Sequence, residues 1–350
     1  MPSVTTLEKT DRCNHEADTA VFKENTMASW EIRHVNHLSS DHEKKEVSKY
    51  WEGLYTWMTA SRLEKPWDGE TYGFAAAFID DTCVGTTSYT ISRRGLGIVS
   101  QVHTDADHRG KGICGATFNA AVDAFEAHGT KAAYLAAWAQ WIRDIYMKRG
   151  FVNVGNMGQR GAFKLTITDA GKDENLFRKG QRTELRPLGL GDQADITSLF
   201  CAVQDRVVKS YELGCYGGSY FEGEFYVLQN QKVEGIIPEE RKDKEGYRAV
   251  VLDGEETILG LGTVIPSSRR HEGHTGVLDF FLHPAYFDQA AGMIDRLTEG
   301  CELDHLAAYI EKNEDDKREL LRQAGFTKAA DLSRQLVIAD EAFDLEMWRK

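Results

Sequence analysis

Long apolar runs are missing from the 350-residue sequence. A helix that spans a bilayer needs about 20 consecutive apolar residues, and no stretch of the chain approaches that length. The first eight residues, MPSVTTLE, lack the apolar core of a secretory signal peptide. Both absences predict a cytoplasmic protein with no membrane partner.

Paired cysteines and an excess of basic residues are missing as well. The cysteines form no C-x-x-C pair, which argues against a zinc site and a disulfide framework, so no metal is expected. They are Cys13, Cys83, Cys114, Cys201, Cys215 and Cys301. The net charge of −13 argues against a nucleic-acid partner, because such binding needs a dense basic surface. The same charge would attract a cationic ligand.

A short basic turn differs from this acidic background. Residues 107–115 read DHRGKGICG. Apolar residues at 96, 98, 99 and 102 predict a strand before the turn, and those at 118, 122 and 125 predict a helix after it. Glycines let a ligand approach the backbone, and the helix N-terminus carries partial positive charge. Because Arg109 and Lys111 add full charges, the turn is predicted to bind a diphosphate.

Two other interpretations of the turn remain open. Gly110, Gly112 and Gly115 have the G-x-G-x-x-G spacing of a dinucleotide-binding fold, which also requires an acidic residue about 20 residues later. The next predicted strand, residues 131–137, ends instead in alanines. A glycine turn can also simply reverse the chain, but that interpretation does not explain its two basic residues.

Residues 109–114, RGKGIC, resemble the R/Q-x-x-G-x-G/A motif with which the GNAT acyltransferase superfamily binds the pyrophosphate of acyl-coenzyme A. Residues 145–151, IYMKRGF, resemble the Y-x-x-x-G-F segment of the same family. The resemblance extends over residues 30–167 and implies acetyl-CoA, or another acyl-CoA, as co-substrate. The coenzyme-binding residues that it implies are Val102 and Thr104, through their backbone, and Arg109, Gly110, Lys111, Gly112, Ile113, Cys114 and Gly115.

The pattern of residues 29–167 fits the mixed α/β sheet that the resemblance implies. Residues 1–28 are polar and weakly patterned, which predicts a flexible arm. An amphipathic helix is predicted over 41–59, and a hairpin is predicted to turn at Asp80 and Asp81. The other predicted elements are strands at 30–35, 97–104, 131–137, 151–157 and 161–167 and helices at 110–128 and 140–149.

The rest of the chain repeats this pattern, and its length fits two domains. A polar run at 168–182 predicts a linker, and the pattern restarts over 183–350. Phe287 and Ala290 stand where Arg109 and Gly112 should recur, with Asp288 between them. We therefore expect two tandem GNAT-like domains, the second degenerate and either structural or acceptor-binding. Its predicted elements are a strand at 183–188, a helix at 191–208, a hairpin at 247–265 and a strand from 276.

Three side chains are candidates for the chemistry. Tyr146 could protonate a departing thiolate, since a phenol with a pKa of about 10 is protonated at neutral pH, although it also continues an apolar helix stripe. Many relatives place a glutamate early in the fourth strand, where this chain has Ile98. By alternation Ser100 shares the face of Ile98 and could hold a water, whereas His103 points to the opposite face. Deprotonation by water or in solution is the remaining alternative.

These features predict an N-acetyltransferase that moves an acetyl group from acetyl-CoA to the amine of a small molecule, with a cationic amine favoured by the acidic chain. Two other functions remain open: a GNAT-like enzyme that decarboxylates a thioester or acylates a carrier thiol, and a non-catalytic coenzyme A sensor. A glycine- and aromatic-rich segment at 211–226 is either a lid over the amine or an ordinary insertion. Aromatic residues cluster where GNAT acceptors meet the domain: Trp51, Tyr55, Trp57 and Trp67.

Overall fold

A computed structural model describes most of the chain between residues 29 and 350. The described residues are 29–137, 139–155, 161–202, 206–217, 221, 225, 248–267, 274–338 and 340–350. The arm expected at residues 1–28 lies outside them. None of the helices in these ranges is long and apolar enough to cross a bilayer.

The first half forms a seven-stranded sheet in the order β1-β2-β3-β4-β5-β7-β6. Its pairs are antiparallel except for β4 and β5, which run parallel. The predicted hairpin between β2 and β3 is present and turns at Asp80, whose φ is +51°. The strands are β1 Glu31–Asn36, β2 Thr71–Ile79, β3 Thr82–Ile91, β4 Leu96–Thr104, β5 Ala132–Ala137, β6 Val152–Asn153 and β7 Gly161–Thr166.

Four helices cover the two faces of this sheet. They are α1 Asp41–Ser48, α2 Leu54–Glu64, α3 Ile113–Ala127 and α4 Gln140–Lys148. The expected single helix over 41–59 is wrong, because Gly53 adopts a φ of +60° and starts a second helix. Ser40 and Glu43 form a capping box that fixes the start of α1. The break brings Tyr50 and Trp51 between the two helices.

The second half contains another seven-stranded sheet, in the order β8-β11-β12-β13-β14-β16-β15. When strands are numbered along the chain within each sheet, this is the strand order of the first sheet, and β13 and β14 are again the parallel pair. The two mixed sheets confirm the predicted α/β fold class. The strands are β8 Glu184–Pro187, β11 Arg248–Asp253, β12 Ile258–Pro266, β13 Thr275–Leu282, β14 His305–Glu311, β15 Thr327–Ile338 and β16 Glu341–Arg349.

Smaller elements complete the second half. The helix expected over 191–208 ends at Cys201, and the chain enters a strand at Val208. That strand pairs with the next one in a separate two-stranded sheet. The elements are α5 Asp173–Leu176, α6 Gln193–Cys201, α7 Ala290–Thr298 and α8 Asp315–Gln323, with β9 Val208–Ser210 and β10 Cys215–Tyr216.

The two halves share one hydrophobic core around α6. All nine residues of α6 are buried, and the helix contacts β12 of its own sheet as well as β4, β5 and β7 of the first sheet. The segment at 168–182, predicted as a linker, contributes buried Leu176 and Phe177 to this core. Polar contacts also join the halves: Lys131 pairs with Glu256 at 2.8 Å, and Arg62 donates to Gln193 at 3.0 Å.

Candidate active site

Strands β4 and β5 separate along their length. They pair only from Leu96 with Ala132 to Ile98 with Tyr134. Beyond Ile98, β4 remains paired with β3, whereas its other edge has no strand partner in β5. The backbone of Val102 and Thr104 therefore faces a gap between two strands that diverge from a common start.

A bulge in β4 sharpens this divergence. Ser88 pairs with Ser100 and Thr86 with His103, so β4 carries one extra residue, and Gln101 has a φ of +50°. Non-glycine residues rarely adopt this conformation. The buried Gln101 side chain accepts from the Tyr72 hydroxyl and donates to the Thr59 hydroxyl, both at 2.8 Å. These bonds to β2 and α2 hold the strained backbone in place.

The bulge also changes which face His103 occupies. Val99 and Val102 both pack in the cluster beside α3 and α4, although simple alternation would place them on opposite faces. His103 therefore lies on the other face, that of α1 and α2, where its ring stacks on Tyr50 at 4.2 Å. Ile98 belongs to the same hydrophobic cluster as Met58 of α2, on this face. The expectation that His103 points away from the face of Ile98 is wrong, because alternation does not hold across a bulge.

The basic glycine turn lies at the open end of this gap. Gly110 and Gly112 have φ values of +76° and +82°, and no atom lies within 4 Å of a Cβ built at either. Gly112 caps α3 without any side-chain hydrogen bond, and the first intrahelical bond runs from the N–H of Ala116 to the carbonyl of Gly112. The N–H groups of residues 113–115 are thus left for a ligand, in the positive field of a 15-residue helix.

A cavity of ≈ 670 Å³ connects the turn with the diverging strands. Eight of the nine predicted coenzyme-binding residues line it, and Lys111 is exposed outside the lining. Sequence reasoning missed His108 as a lining residue, although it stands within the DHRG string, and the bulged Gln101, which no local pattern marks. The lining residues are Val102, His103, Thr104, His108, Arg109, Gly110, Gly112, Ile113, Cys114, Gly115, Ile142 and Ile145.

Two buried polar atoms in the cavity wall have no hydrogen-bond partner among the described residues. They are the hydroxyl of Thr104 and Nδ1 of His108. Buried polar atoms are normally paired, so unpaired ones in a cavity wall indicate polar groups of a ligand. Arg109 is exposed, and its Nε donates to the Thr104 carbonyl at 3.2 Å. The guanidinium is therefore held beside the helix N-terminus.

Tyr146 lies behind this cavity on α4 and is only 3% exposed. Its ring packs on Phe118 at 4.6 Å and on Phe151 at 6.4 Å. Burial, and to a smaller extent the nearby Cys114 thiol, raise the pKa of the Tyr146 phenol well above its usual value. Its neighbours Ile142 and Ile145 line the cavity, and its hydroxyl has no hydrogen-bond partner among the described residues. The phenol therefore keeps its proton and can donate a hydrogen bond.

Ser100 and the clustered aromatic residues, Trp57 and Trp67 among them, lie outside the cavity lining. Ser100 faces Ser88 on β3 and does not line the cavity. Trp67 is buried and packs with Trp57 at 5.3 Å, so these two rings belong to the core. Trp51 and Tyr55 pair at 6.3 Å next to His103, and the indole N–H of Trp51 is buried without a partner among the described residues.

Only part of the possible lid at 211–226 is described, namely 211–217 and residues 221 and 225. Phe221 and Phe225 are buried in the shared core. These two aromatic residues support the interpretation as an insertion packed on the sheet.

The corresponding gap in the second half is filled by the chain itself. Strands β13 and β14 pair in parallel only over Thr275–Val277, and the segment around β9 lies between them. Glu311 on β14 accepts from the N–H groups of residues 207 and 208 at 2.7 and 2.8 Å. Asp279 on β13 accepts from the N–H groups of residues 211 and 212 at 3.0 and 3.1 Å. Tyr211 stacks on Tyr309 of β14 at 4.1 Å.

In the second half, the residue that stands in place of Arg109 is covered by another side chain. Phe287, which stands in place of Arg109, lies under the guanidinium of Arg206, whose Cζ is 4.1 Å from the ring centroid. Arg206 in turn pairs with Glu314 at 3.3 Å and with Asp316. An aromatic ring, covered by a guanidinium that two carboxylates neutralise, thus stands where the first half has Arg109.

The family comparison matches a region within the first half of the chain. Residues 35–151 match the sequence profile of the acetyltransferase (GNAT) family, whereas a search of curated proteins gave no match. Similar solved structures include a GNAT-family acetyltransferase from Streptococcus pneumoniae, with 13% identity and a TM-score of 0.38 over 48% of this chain and 99% of that one.

Two further similar structures have substrates or cofactors in their descriptions. One is a putative acetyltransferase, yncA, from Salmonella typhimurium with its cofactor acetyl-CoA, with 17% identity and a TM-score of 0.37 over 48% of this chain and 92% of that one. The other is a chimera of the spermidine N-acetyltransferase SpeG from Vibrio cholerae and hSSAT, with 16% identity and a TM-score of 0.34 over 48% and 94%.

The range matched by the family profile contains the basic glycine turn, the diverging strands and Tyr146. The part of the chain that resembles the acetyltransferase (GNAT) family is therefore residues 35–151, and it contains the candidate site.

Proposed function

We propose that the first half transfers an acetyl group from acetyl-CoA to the amine of a small molecule. The observation that carries this proposal is the cavity that joins the uncapped N-terminus of α3 to the gap between β4 and β5. One end offers free N–H groups and a guanidinium, which suit a diphosphate. The other end offers strand backbone, which suits the amide groups of pantetheine.

The different chemistry of the two ends of the cavity suggests where each part of the coenzyme binds. The diphosphate of the coenzyme binds to the N–H groups of residues 113–115, with Arg109 beside it and Lys111 adding charge from outside. The pantetheine arm extends along Val102 and Thr104 towards the bulge, and the unpartnered Thr104 hydroxyl gains a polar neighbour. Ile142 and Ile145 cover the apolar part of the arm.

The chemistry requires one bond to form and one to break. The neutral amine nitrogen attacks the thioester carbonyl carbon, the C–S bond breaks, and the sulfur leaves as a thiolate. The Tyr146 hydroxyl donates a hydrogen bond to this sulfur. Because a phenolate is a stronger base than a thiolate, Tyr146 does not give its own proton to sulfur. The proton that finally remains on sulfur is the one lost by the nitrogen that is acetylated. Tyr146 keeps its own proton throughout and only donates a hydrogen bond.

The second half binds no coenzyme in this proposal. Its gap is filled by residues 207–212, and Phe287 with Arg206 covers the turn. Its contribution is the shared core, through which α6 supports β4 and β5 from the face opposite α3 and α4. Acetyl-CoA should accordingly bind once per chain.

The acceptor is a cationic amine that reaches the site from the side of α1 and α2. Trp51 and Tyr55 form an aromatic edge there, and the Asp105 carboxylate lies at the end of β4. A net charge of −13 adds a general attraction for cations. Aromatic faces next to a carboxylate suit an alkylammonium ion.

A thiol-release screen with the full-length chain tests the proposal. Acetyl-CoA is incubated with aminoglycosides, polyamines, amino acids and peptides, and both free thiol and N-acetylated product are measured. Thermal shift with acetyl-CoA should show stabilisation, and Arg109→Ala should weaken binding about tenfold, because one charged contact to phosphate is lost. Arg296→Ala, an exposed arginine on α7 far from the cavity, serves as the control.

The outcomes separate the three functions. N-acetylated product supports the proposal. Free thiol without any acylated amine would favour thioester decarboxylation or transfer to a carrier thiol. Acetyl-CoA binding without thiol release across the whole panel would favour a coenzyme A sensor.

A further inference from the structure

A tyrosine, an aspartate and a histidine are linked at the end of β4. The Asp105 carboxylate contacts both partners: its Oδ1 lies 3.3 Å from Nε2 of His103, and its Oδ2 accepts from the Tyr50 hydroxyl at 3.1 Å. The single Tyr50 hydroxyl proton is shared between this oxygen and the Cys83 carbonyl, which lies closer, at 2.5 Å. The three side chains come from the break after α1, from β4 and from the turn that follows β4.

The Asp105 contact selects one tautomer of His103. A carboxylate can only accept, so Nε2 carries the proton when it faces Oδ1. The lone pair of the neutral imidazole is then on Nδ1, which has no hydrogen-bond partner among the described residues. Burial raises the pKa of Tyr50 far above its usual value, so its phenol remains a donor to this network.

Aromatic packing holds the imidazole in one plane. Tyr50 stacks on it at 4.2 Å with an angle of 29° between the rings. Trp51 meets it edge-on at 6.3 Å and 80°. His103 also lines the cavity and directly follows Val102, whose backbone stands at the bulge. The ring is therefore fixed between the acceptor side and the proposed position of the thioester.

We propose that His103 is the general base of the acetyl transfer, with Asp105 and Tyr50 as its positioning residues. This inference rests on the proposed function and identifies the group that accepts the amine proton. Nδ1 takes one proton from the acceptor ammonium ion, and the resulting amine attacks the thioester carbon. The imidazolium that forms is stabilised by the Asp105 carboxylate and then releases its proton to solvent, which accounts for the one proton liberated per turnover.

Several other charged or titratable groups surround the imidazole and bear on its protonation. Lys49, at the end of α1, lies 5.1 Å from the Tyr50 ring centroid and donates to the Cys83 carbonyl. Cys83 is the second residue of β3, and burial raises the pKa of its thiol to about 11, so the thiol stays neutral near pH 7. His108 lines the same cavity. Among the described groups in direct contact with His103, Asp105 is the one that carries a negative charge.

The first test is the pH dependence of kcat/KM for three variants, with the aliphatic amine that the parent acetylates fastest. His103→Gln should lower kcat/KM about 100-fold at neutral pH and remove the part of the profile that rises with pH, because general bases contribute about 10² to 10⁴-fold. The loss should shrink at alkaline pH, where the amine is deprotonated in solution. His37→Gln changes an exposed histidine in the turn between β1 and α1, and it should behave as the parent does.

The positioning residues should give smaller and distinct effects. Asp105→Asn should lower kcat about tenfold or more and shift the rising limb of the profile, since the amide can donate to Nε2 and favour the wrong tautomer. Tyr50→Phe should lower kcat only a few-fold. The KM for acetyl-CoA should stay within about twofold of the parent in all three variants, because none of these side chains is assigned to the coenzyme.

A second measurement does not depend on turnover. Long-range ¹H–¹⁵N spectra of the uniformly labelled full chain report histidine tautomers, and the His103→Gln variant identifies the His103 signals. We expect the Nε2–H tautomer in the parent and a mixed or Nδ1–H form in Asp105→Asn. An Nδ1–H tautomer in the parent would overturn the inference.

Failure of this inference differs from failure of the proposed function. If the parent acetylates amines but His103→Gln keeps the parent's kcat/KM and pH profile, His103 is not the base and the transferase remains. If the parent neither binds acetyl-CoA nor releases thiol, the function itself is wrong.

Discussion

Burial determines what the Tyr146 side chain can do. The ring is packed between Phe118 and Phe151, and burial raises the pKa of its phenol. A group with a raised pKa holds its proton more firmly than an ordinary tyrosine, so at any physiological pH the hydroxyl is a hydrogen-bond donor. In the proposed reaction, Tyr146 therefore acts as a hydrogen-bond donor to the leaving sulfur and not as a general acid.

Tyr146→Phe should lower kcat about tenfold to hundredfold, because one hydrogen bond to a developing thiolate is lost. The KM for acetyl-CoA and the melting temperature should change little, since phenylalanine fills the same space. Steady-state kinetics with acetyl-CoA and an amine substrate provide the measurement. Tyr89→Phe removes the hydroxyl of another buried tyrosine on β3 and is the matched control. An unchanged kcat in Tyr146→Phe would remove this side chain from the chemistry.

The element on which the site depends most is β4. Its bulge at Gln101 turns the backbone of Val102 towards the cavity and brings His103 to the face of α1 and α2. The bulge is stabilised by two hydrogen bonds from a buried amide and opposed by the strain of a positive φ. Substitutions at this single residue separate the two effects.

Gln101→Ala and Gln101→Gly should both destabilise the protein, but by different amounts. Both lose the hydrogen bonds to Tyr72 and Thr59, which costs about 1 to 3 kcal/mol for the two. The glycine variant should be about 1 kcal/mol more stable than the alanine variant, because glycine adopts φ > 0 without strain. Urea unfolding followed by fluorescence measures both values. Equal stabilities would show that the backbone of the bulge relaxes on substitution.

The basic turn, α3 and the hairpin of β2 and β3 could be predicted from the sequence, because the residues that determine them are adjacent in the chain. Each of these depends on residues that are close together in the chain, such as the glycines after Arg109 or the pair at Asp80. The bulge at Gln101 depends instead on Thr59 and Tyr72, which are distant in sequence. The early end of α6 likewise follows from the path of β9 between β13 and β14. The hydrophobic pattern of one segment cannot indicate such contacts with segments that are distant in the sequence.

At the scale of the molecule, the two halves form one core around α6. Asp195 of this helix is buried and pairs with Arg94 of the first half at 3.4 Å, while its Oδ2 has no hydrogen-bond partner among the described residues. Burial raises the pKa of Asp195 to about 6. The folded protein therefore binds a proton at this position more tightly than the unfolded chain does.

The Asp195→Asn variant should reveal this linkage. An aspartate in the unfolded chain has a pKa of about 3.9, so the parent gains protons on folding between about pH 4 and pH 6. The stabilising contribution of Asp195 is complete below pH 4 and is lost as the pH rises through 6. Relative to the variant, the parent should lose up to about 3 kcal/mol of unfolding free energy between pH 4 and pH 7. Denaturant unfolding across this range provides the test, and a constant difference would contradict it.

The repeat explains why a doubled fold should hold a single coenzyme. The first half leaves the gap between its parallel strands open, whereas the second half fills the equivalent gap with residues 207–212. Gly112 is the position where a small change should close the first site. A Cβ there points into open space, and its φ of +82° is the same as that of exposed Gly180.

Titration calorimetry of acetyl-CoA into the full chain tests the central claim most directly. The parent and Gly180→Asp should each bind one molecule per chain, whereas Gly112→Asp should show no measurable binding, because its carboxylate opposes the diphosphate. Gly180→Asp carries the same charge and the same backbone strain away from the cavity, so it controls for folding. Binding to Gly112→Asp as tight as to the parent, or two molecules bound per chain, would contradict the account.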